Sequence, residues 1–294
     1  MLAPIVVFAF NRPKELASMF DSLKSNPLYE QSPKFVYIDG PRNNNDIRLI
    51  DEVIKIAIKE TDNVIISPIN KGLGKSIIDG VSEILNRYGK AIIIEDDLKL
   101  MPGFLGYMNE CLDLFESDKR IISVCGYSLK IKPPKDYSSD IYFGDRASSW
   151  GWGTWIDRWN KVDWNVKDWE EFSKDKKAIR EFNKAGSDLF AMLSDYKNGK
   201  NHSWAIRFCY SQFRKRQWSV HPIKSFVDNK GFGESATNCR QKYNRFKIEL
   251  CNGPLTISAK DRNTTVNNDI LSQLHRYHSI PLRIYSRIRR ILNI

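Results

Sequence analysis

Four apolar residues run straight into three carboxylates in the stretch Ala91-Ile92-Ile93-Ile94-Glu95-Asp96-Asp97. A continuous apolar run reads as a buried parallel strand, because an element with no polar face must be covered on both sides. The acids then fall at the strand's carboxyl end, where open α/β sheets bind their ligands. Adjacent carboxylates repel: a pair ~4 Å apart costs roughly 1 kcal/mol in water and roughly 4 kcal/mol at an effective dielectric of ~20. A half-buried cluster of this kind calls for a hard divalent cation, and carboxylate oxygens suit Mg²⁺ or Mn²⁺. Strand alternation places Glu95 and Asp97 on one side and Asp96 on the other. A solvated acidic turn is the plainer alternative, and the flanking sequence decides between them.

That sequence alternates strands with helices. Pro4 to Phe10 is an apolar strand, followed by Asn11-Arg12-Pro13, with Pro13 placed to open a helix and Asn11 or Arg12 to cap it. Leu16, Met19, Phe20 and Leu23 recur at helical spacing. Lys34 to Ile38 is a second strand ending in Asp39-Gly40-Pro41, a turn signal. The next helix carries Ile47, Ile50, Ile54, Ala57 and Ile58 on its apolar face, and Val64 to Ser67 is a third strand. A loop, Asn70-Lys71-Gly72-Leu73-Gly74-Lys75, precedes a helix bearing Ile77, Val81, Ile84 and Tyr88, and the acid-tipped strand comes fourth. Such alternation implies right-handed crossovers and a parallel sheet covered on both faces. Beyond the acids a helix holds Phe104, Tyr107, Met108, Cys111, Leu112 and Phe115 inward, and Ile121 to Cys125 is a fifth strand.

Pro133-Pro134 breaks the pattern, and six of the eight tryptophans follow between Trp150 and Trp169. Helices are expected near 168–182, 187–197 and 203–216, short strands around 218–227, and a loop at Gly231-Phe232-Gly233. Indoles bury large areas and suit a core. Gly151 and Gly153 favour instead a tight, partly exposed loop whose aromatic faces, Trp150 and Trp152, would stack on a sugar.

The net charge of +11 over 294 residues points to an anionic partner. A platform for single-stranded nucleic acid would interleave basic residues among its rings. The tryptophan segment has as many acids as bases, so a nucleic-acid partner is not expected. The five scattered cysteines contain no C-x-x-C, which argues against a disulfide framework or a zinc site and fits a reducing cytoplasm. The apolar start from Leu2 to Phe10 has no basic leader and is too short to span a bilayer. After Asp269 there are no acids, while Arg276, Arg283, Arg287, Arg289 and Arg290 crowd the end and Ile280, Ile284, Ile288 and Ile291 share a face. A reversible interfacial anchor on an anionic leaflet is expected there, with a helix docked on the protein's own surface as the alternative.

Gly-Lys-Ser at 74–76 invites a phosphate-loop reading, but the G-x-x-x-x-G-K-S pattern needs glycine where Ile69 stands. A nucleoside-triphosphatase is rejected. The loop can still present N–H groups and Lys75 to a diphosphate at a helix start.

Val7-Phe8-Ala9-Phe10-Asn11-Arg12-Pro13, Ile38-Asp39-Gly40, Asn70-Lys71-Gly72-Leu73 and Ile93-Ile94-Glu95-Asp96-Asp97-Leu98 follow in the order and spacing of a GT-A glycosyltransferase. The chain resembles family 2-type bacterial sugar transferases and is similar to the N-acetylglucosaminyltransferase I family, which carries Glu-Asp-Asp-Leu followed by Pro-x-Phe, here Pro102-Gly103-Phe104. Ser149-Trp150-Gly151-Trp152-Gly153-Thr154-Trp155 and Gly231-Phe232-Gly233-Glu234-Ser235-Ala236-Thr237 resemble segments of the bacterial group. The resemblance covers roughly residues 3–240.

It implies a GT-A, Rossmann-like α/β fold with a mostly parallel sheet flanked by helices. A nucleotide-sugar half would span 1–130, an acceptor-binding half 131–260 and a basic amphipathic tail 261–294. Asp97 would bind Mn²⁺ or Mg²⁺, Glu95 and Asp96 would serve the ribose and the metal's water shell, and Asp39 would face the nucleobase. Phe10, Asn11, Arg12 and Lys75 would complete the nucleotide site. The activity implied is transfer of a sugar, with inversion, from a UDP-type donor to a surface-glycan or lipid-linked acceptor at the inner face of the plasma membrane.

Inversion needs a group to take the acceptor's proton. Where the animal enzymes carry Trp-Asp-Asp, this chain reads Asn201-His202-Ser203-Trp204-Ala205-Ile206-Arg207, with no acid. The candidates are His202, Glu234 and Asp145. Related bacterial sequences read Ala-Thr-His where this one has Ala236-Thr237-Asn238, which removes a possible second metal ligand. Two rival functions are a sugar nucleotidyltransferase, which would want a glycine-rich signature in place of Asn11-Arg12-Pro13, and a non-catalytic glycan- or membrane-binding relative.

Overall fold

The computed structural model describes residues 1–229, 248–253, 255, 257 and 259–292. In chain order, β1 (Ile5–Ala9), α1 (Pro13–Lys24), β2 (Lys34–Ile38), α2 (Asn44–Glu60), β3 (Val64–Ile66), α3 (Leu73–Tyr88) and β4 (Lys90–Glu95) reproduce the expected alternation. Then come β5 (Leu98–Leu100), α4 (Phe104–Leu114), β6 (Ile121–Cys125), β7 (Ile141–Gly144), β8 (Trp152–Trp155) and α5 (Ile156–Trp159). The chain continues through α6 (Trp169–Phe172), α7 (Lys176–Phe182), α8 (Leu189–Lys197), α9 (Trp204–Arg214), β9 (Trp218–Pro222), β10 (Val227–Asn229), α10 (Asn268–Tyr277) and α11 (Ile280–Leu292).

One sheet of eight strands, in the order β3-β2-β1-β4-β8-β6-β9-β7, carries the body, and β5 pairs apart with β10. The left half is parallel throughout, β1 lying between β2 and β4. This is the α/β architecture expected, with a mostly parallel sheet and helices on both faces. One face packs α1, α2 and α4 over Val7, Ile92 and Ile94. The other packs α3, α5 and α9 over Val6, Phe8 and Ile93. The four apolar residues ahead of the acids are each 0% exposed, as a strand covered on both faces must be.

The right half departs from expectation. The tryptophan segment is β8, a strand inserted antiparallel between β4 and β6, with Trp152 opposite Ile93 and Cys125. Gly153 is buried within that strand and not part of an exposed loop. The expected helix at 168–182 is two short ones, because the Asp175 side chain accepts from the backbone N–H groups of Lys177 and Ala178 and starts α7 afresh. On α2 the buried stripe is Ile50, Val53 and Ala57, whereas Ile47 and Ile58 are exposed.

Candidate active site

Parallel pairing brings the carboxyl ends of β1, β2 and β4 side by side. Phe8 pairs with both Tyr37 and Glu95, so Phe10-Asn11-Arg12, Asp39 and Glu95-Asp96-Asp97 leave the sheet along one rim. Arg12 occupies the position that caps α1, yet its side chain makes no cap bond. Its guanidinium crosses to the acids. Nη2 pairs with Asp96 Oδ1, Nε donates to Asp96 Oδ2 at 3.4 Å, and Nη1 donates to Asp97 Oδ2 at 2.9 Å. The alternation expected of the acids stops at Glu95, because β4 ends there and Asp96-Asp97 form a turn. Freed from the pleat, both aspartates reach the same cation.

The electrostatics follow from burial. Burial, then the Asp97 and Asp96 charges, push the Glu95 carboxyl up to about 8, so it holds a proton at neutral pH. Asp96, 1% exposed, is pushed by burial up to about 6 against the opposing charge of Arg12. Burial works against the Arg12 charge as well, but Asp96 and Asp97 outweigh it and raise the guanidinium further. Asp97, at 15% side-chain exposure, is the more open aspartate. Among the described residues no three His, Cys, Asp or Glu side chains are grouped to hold a metal unaided. The donor set is nonetheless all carboxylate oxygen, which fits Mg²⁺ or Mn²⁺ provided a bound diphosphate and water supply the remaining ligands.

Asp39 is committed to the glycine loop. Its Oδ1 accepts from the backbone N–H of Gly40 at 3.0 Å and of Lys71 at 2.8 Å, and its Oδ2 from Gly72 at 2.9 Å. Asn70 Nδ2 closes the same contact on the Gly40 carbonyl at 2.8 Å. A Cβ at Gly40 would strike the Ile69 backbone, so only glycine lets strand end and loop touch. Asn11 donates to Asp46 at 2.6 Å, Arg42 also binds Asp46, and the Arg42 guanidinium stands 4.7 Å from the centre of the Phe10 ring. Arg42 and Asp46 were not singled out in the sequence, although Arg42 directly follows the Asp39-Gly40-Pro41 turn. Lys75 is exposed and shares Asp79 with Lys71.

A separate cavity of about 470 Å³ is lined by Trp150, Asp145, Arg146, Asp188, His221 and His278 among others. Because β8 runs antiparallel to β4, Trp150 on the cavity wall stands level with the end of β4. Trp150 meets Tyr127 edge-on at 4.6 Å. Trp152, expected on the acceptor wall, is a core residue: 1% exposed and stacked on Trp204 at 4.7 Å and Trp159 at 5.7 Å. Asp145 lines the cavity, and its Oδ2 is 2.7 Å from His275 Nε2. His202 is exposed ahead of α9, and its carbonyl lies where a Cβ on Gly74 would sit, so it borders the glycine loop and not the cavity. Glu234 and Asn238 fall outside the described residues.

The GNT-I family model matches residues 1–185. The chain belongs to the GNT-I family. The match takes in the glycine loop, the acids and the tryptophan strand. No curated protein matches the sequence. Solved structures similar in fold include TarS 1-349 of S. aureus, with 9% identity, a TM-score of 0.41 and coverage of 79% of this chain and 61% of that one. A mannosyltransferase of Pyrobaculum calidifontis in complex with GDP-Man and Mn²⁺ shares 10% identity at a TM-score of 0.36, covering 53% of this chain and 46% of that one. A UDP-glucose pyrophosphorylase complexed with UDP-glucose shares 13% identity at a TM-score of 0.38, covering 76% and 90%. The chain thus spans less than two thirds of the first two.

Proposed function

We propose that this GNT-I family member moves a sugar, with inversion, from a UDP-type nucleotide-sugar to a surface-glycan or lipid-linked acceptor, with the help of Mn²⁺ or Mg²⁺. The observation that carries this reading is the Arg12–Asp96–Asp97 cluster beside the loop clamped by Asp39. It sets carboxylate ligands, one fixed cation and a row of backbone N–H groups on a single rim. Asp97 would hold the metal, and Asp96 and Glu95 would serve its water shell and the ribose. A divalent cation bound there supplies neutralisation of the diphosphate charge that develops as the glycosidic bond breaks. The chain's own residues do the rest. The Asp39 clamp keeps the glycine loop in place, Phe10 and Arg42 offer a stacked surface to a base, and Lys71 and Lys75 add positive charge at the start of α3.

During transfer the acceptor oxygen bonds to the anomeric carbon, the anomeric C–O bond to the diphosphate breaks, and the electron pair leaves with the nucleotide. The acceptor's proton passes to a base, for which Asp145, His202 and Glu234 are the candidates. Trp150 would carry the acceptor sugar on its face. No helix among the described residues is long and apolar enough to cross a membrane. Instead α11 would bind the inner face of the plasma membrane through Ile280, Ile284 and Ile288, which are 60%, 54% and 48% exposed.

Isothermal titration of UDP, GDP and CDP, each with and without Mn²⁺, tests the reading. Metal-dependent binding of one nucleotide, abolished by Asp97→Ala, is the expected result. Absence of binding by all three would favour a non-catalytic relative.

A further inference from the structure

A second cavity, of about 720 Å³, is lined by Phe182, Phe213, Trp218, Lys177, Lys184 and Arg216 among others. Trp218 opens β9 and pairs with Ile121 at the start of β6. Because β4 and β6 both run antiparallel to β8, they run in the same direction. Trp218 therefore stands at the end of the sheet opposite the acids, whereas Trp150 stands level with the acid end. Along the strands the two indoles are separated by roughly 20 Å.

The same segments line both cavities. Helix α9 gives Ala205, Ile206 and Cys209 to the first, and Gln212, Phe213 and Arg216 to the second. The stretch from α7 into α8 gives Phe182 to the second and Leu189 and Met192 to the first, and Asp145 and Ala185 line both. The cavities thus follow one another along α9. At the near end of this row the His202 carbonyl, just ahead of α9, rests against Gly74 of the glycine loop. The row starts beside that loop and leads away from it.

We propose that the two cavities are consecutive subsites for an extended acceptor glycan, and that the second takes a sugar residue bearing a negative charge. This rests on the transferase reading above and names the acceptor class. Trp218 is half-buried, so its indole packs on the core and still offers surface to a sugar. The acids of the second cavity are engaged already: Asp175 caps α7, Glu181 pairs with Lys184, and Asp145 pairs with His275. Arg214 pairs with Asp168, whereas Lys177 and Arg216 make no ion pair among the described residues. Arg216 follows α9 at φ 52°, in the left-handed region where glycine is the usual residue. A long cationic side chain is kept there at a conformational cost, and it lines the cavity. Two uncommitted cations beside an indole suit a carboxylate or phosphate carried on a sugar ring.

Calorimetry on the full chain with hyaluronan disaccharide and octasaccharide, which alternate glucuronate with N-acetylglucosamine, tests the proposal. A third probe is the same octasaccharide with its carboxylates reduced to alcohols. The anionic octasaccharide should bind about 10-fold or more tightly than the disaccharide, and more tightly than its reduced form. Its affinity should fall in both Trp150→Ala and Trp218→Ala, by about 2- to 10-fold each, because one long chain touches both indoles. The disaccharide should respond to only one of them. Arg216→Gly with Lys177→Ala should weaken the anionic octasaccharide by about 5- to 30-fold and leave the reduced form unchanged. Glycine suits the left-handed position, so this variant should unfold no earlier than the parent, and its loss reports on binding. Equal affinity for the two lengths, no binding of either, or an octasaccharide indifferent to the substitutions at the second cavity would each overturn the proposal. A reduced octasaccharide as tight as the anionic one would overturn the charge assignment. Titration of UDP with Mn²⁺ on the same samples keeps the two ideas apart. If the parent binds no nucleotide, the transferase reading falls even where the octasaccharide binds, whereas nucleotide binding without the length dependence removes this inference alone.

Discussion

Arg12 Nη1 lies 2.9 Å from Asp97 Oδ2, so the residue that leaves the first strand holds the residue just beyond the fourth. The same guanidinium covers Asp96, which is almost wholly buried. Removing Arg12 strands that carboxylate. Breaking a buried pair from one side costs about 3–5 kcal/mol, and the 35% exposure of the Arg12 side chain lets water return and screen part of the loss. Arg12→Ala should therefore destabilise the fold by about 2 kcal/mol in denaturant unfolding, and should weaken nucleotide binding in calorimetry. Arg12→Lys keeps the charge but not the fork, and should recover less than half of the stability.

Asp39 supplies a second check on the rim. Its carboxylate accepts three backbone N–H groups, two of them from the loop before α3. Asp39→Ala leaves those donors unpaired, at a cost of about 1–3 kcal/mol. Hydrogen exchange at Lys71 and Gly72 should quicken well beyond the global change, and nucleotide affinity should fall with it. If affinity falls while exchange at the loop is unaltered, Asp39 acts on the base directly and not through the loop.

Trp150 and Trp152 are two residues apart and face different surroundings. Trp152 sits among Trp159, Trp204 and Phe208, so Trp152→Ala should cost about 3–5 kcal/mol of stability. Trp150 is half-buried on the cavity wall. Trp150→Ala should cost far less stability and act on the acceptor KM. Thermal unfolding and acceptor kinetics on the two variants separate them.

The parallel half of the molecule was legible because its signals are local. Apolar runs, glycine and proline breaks and the acid-tipped strand each lie within a few residues, and β2 begins and ends where the sequence places it. The β8 strand was not. Its glycines and tryptophans suggest a loop until β4 and β6 are seen to close on either side. The links that organise the site join distant residues, Arg12 with Asp96 and Asp39 with Gly72, and no local pattern marks such partners. Carboxylate types and spacing located the rim, whereas the cation that gathers them emerged from three-dimensional packing.

Asp188 gives the pH dependence on the cavity side. Burial raises its carboxyl, but the hydrogen bonds and charge of Arg146 overcome this and hold it down at about 2, against an ordinary 3.8. A depressed carboxylate stabilises the fold above its ordinary value and loses that contribution as pH falls from about 4 through about 2. The shift corresponds to about 2 kcal/mol. Asp188→Asn should therefore be less stable than the parent at pH 6 by about that amount, and the difference should close as both are titrated towards pH 2. A constant difference across that range would mean that shape, not charge, holds the contact.

The tail supplies the last expectation. In α11 Ser286 faces the protein at 4% exposure, which turns Ile280, Ile284, Tyr285 and Ile288 outward together. Arg287 is exposed beside this apolar strip, and Arg283 reaches back to Ser187 at 3.1 Å. An apolar strip bordered by arginine and lacking acids matches an anionic bilayer surface, where each arginine contributes about 1 kcal/mol. Flotation with vesicles of phosphatidylcholine alone and with added phosphatidylglycerol should show binding only to the anionic set, weakening as salt rises. Ile284→Ser with Ile288→Ser should abolish it without changing thermal stability, because both side chains already face solvent. If those substitutions instead convert a dimer to a monomer in light scattering, the strip is covered by a second copy of the chain, and the membrane has no part in it.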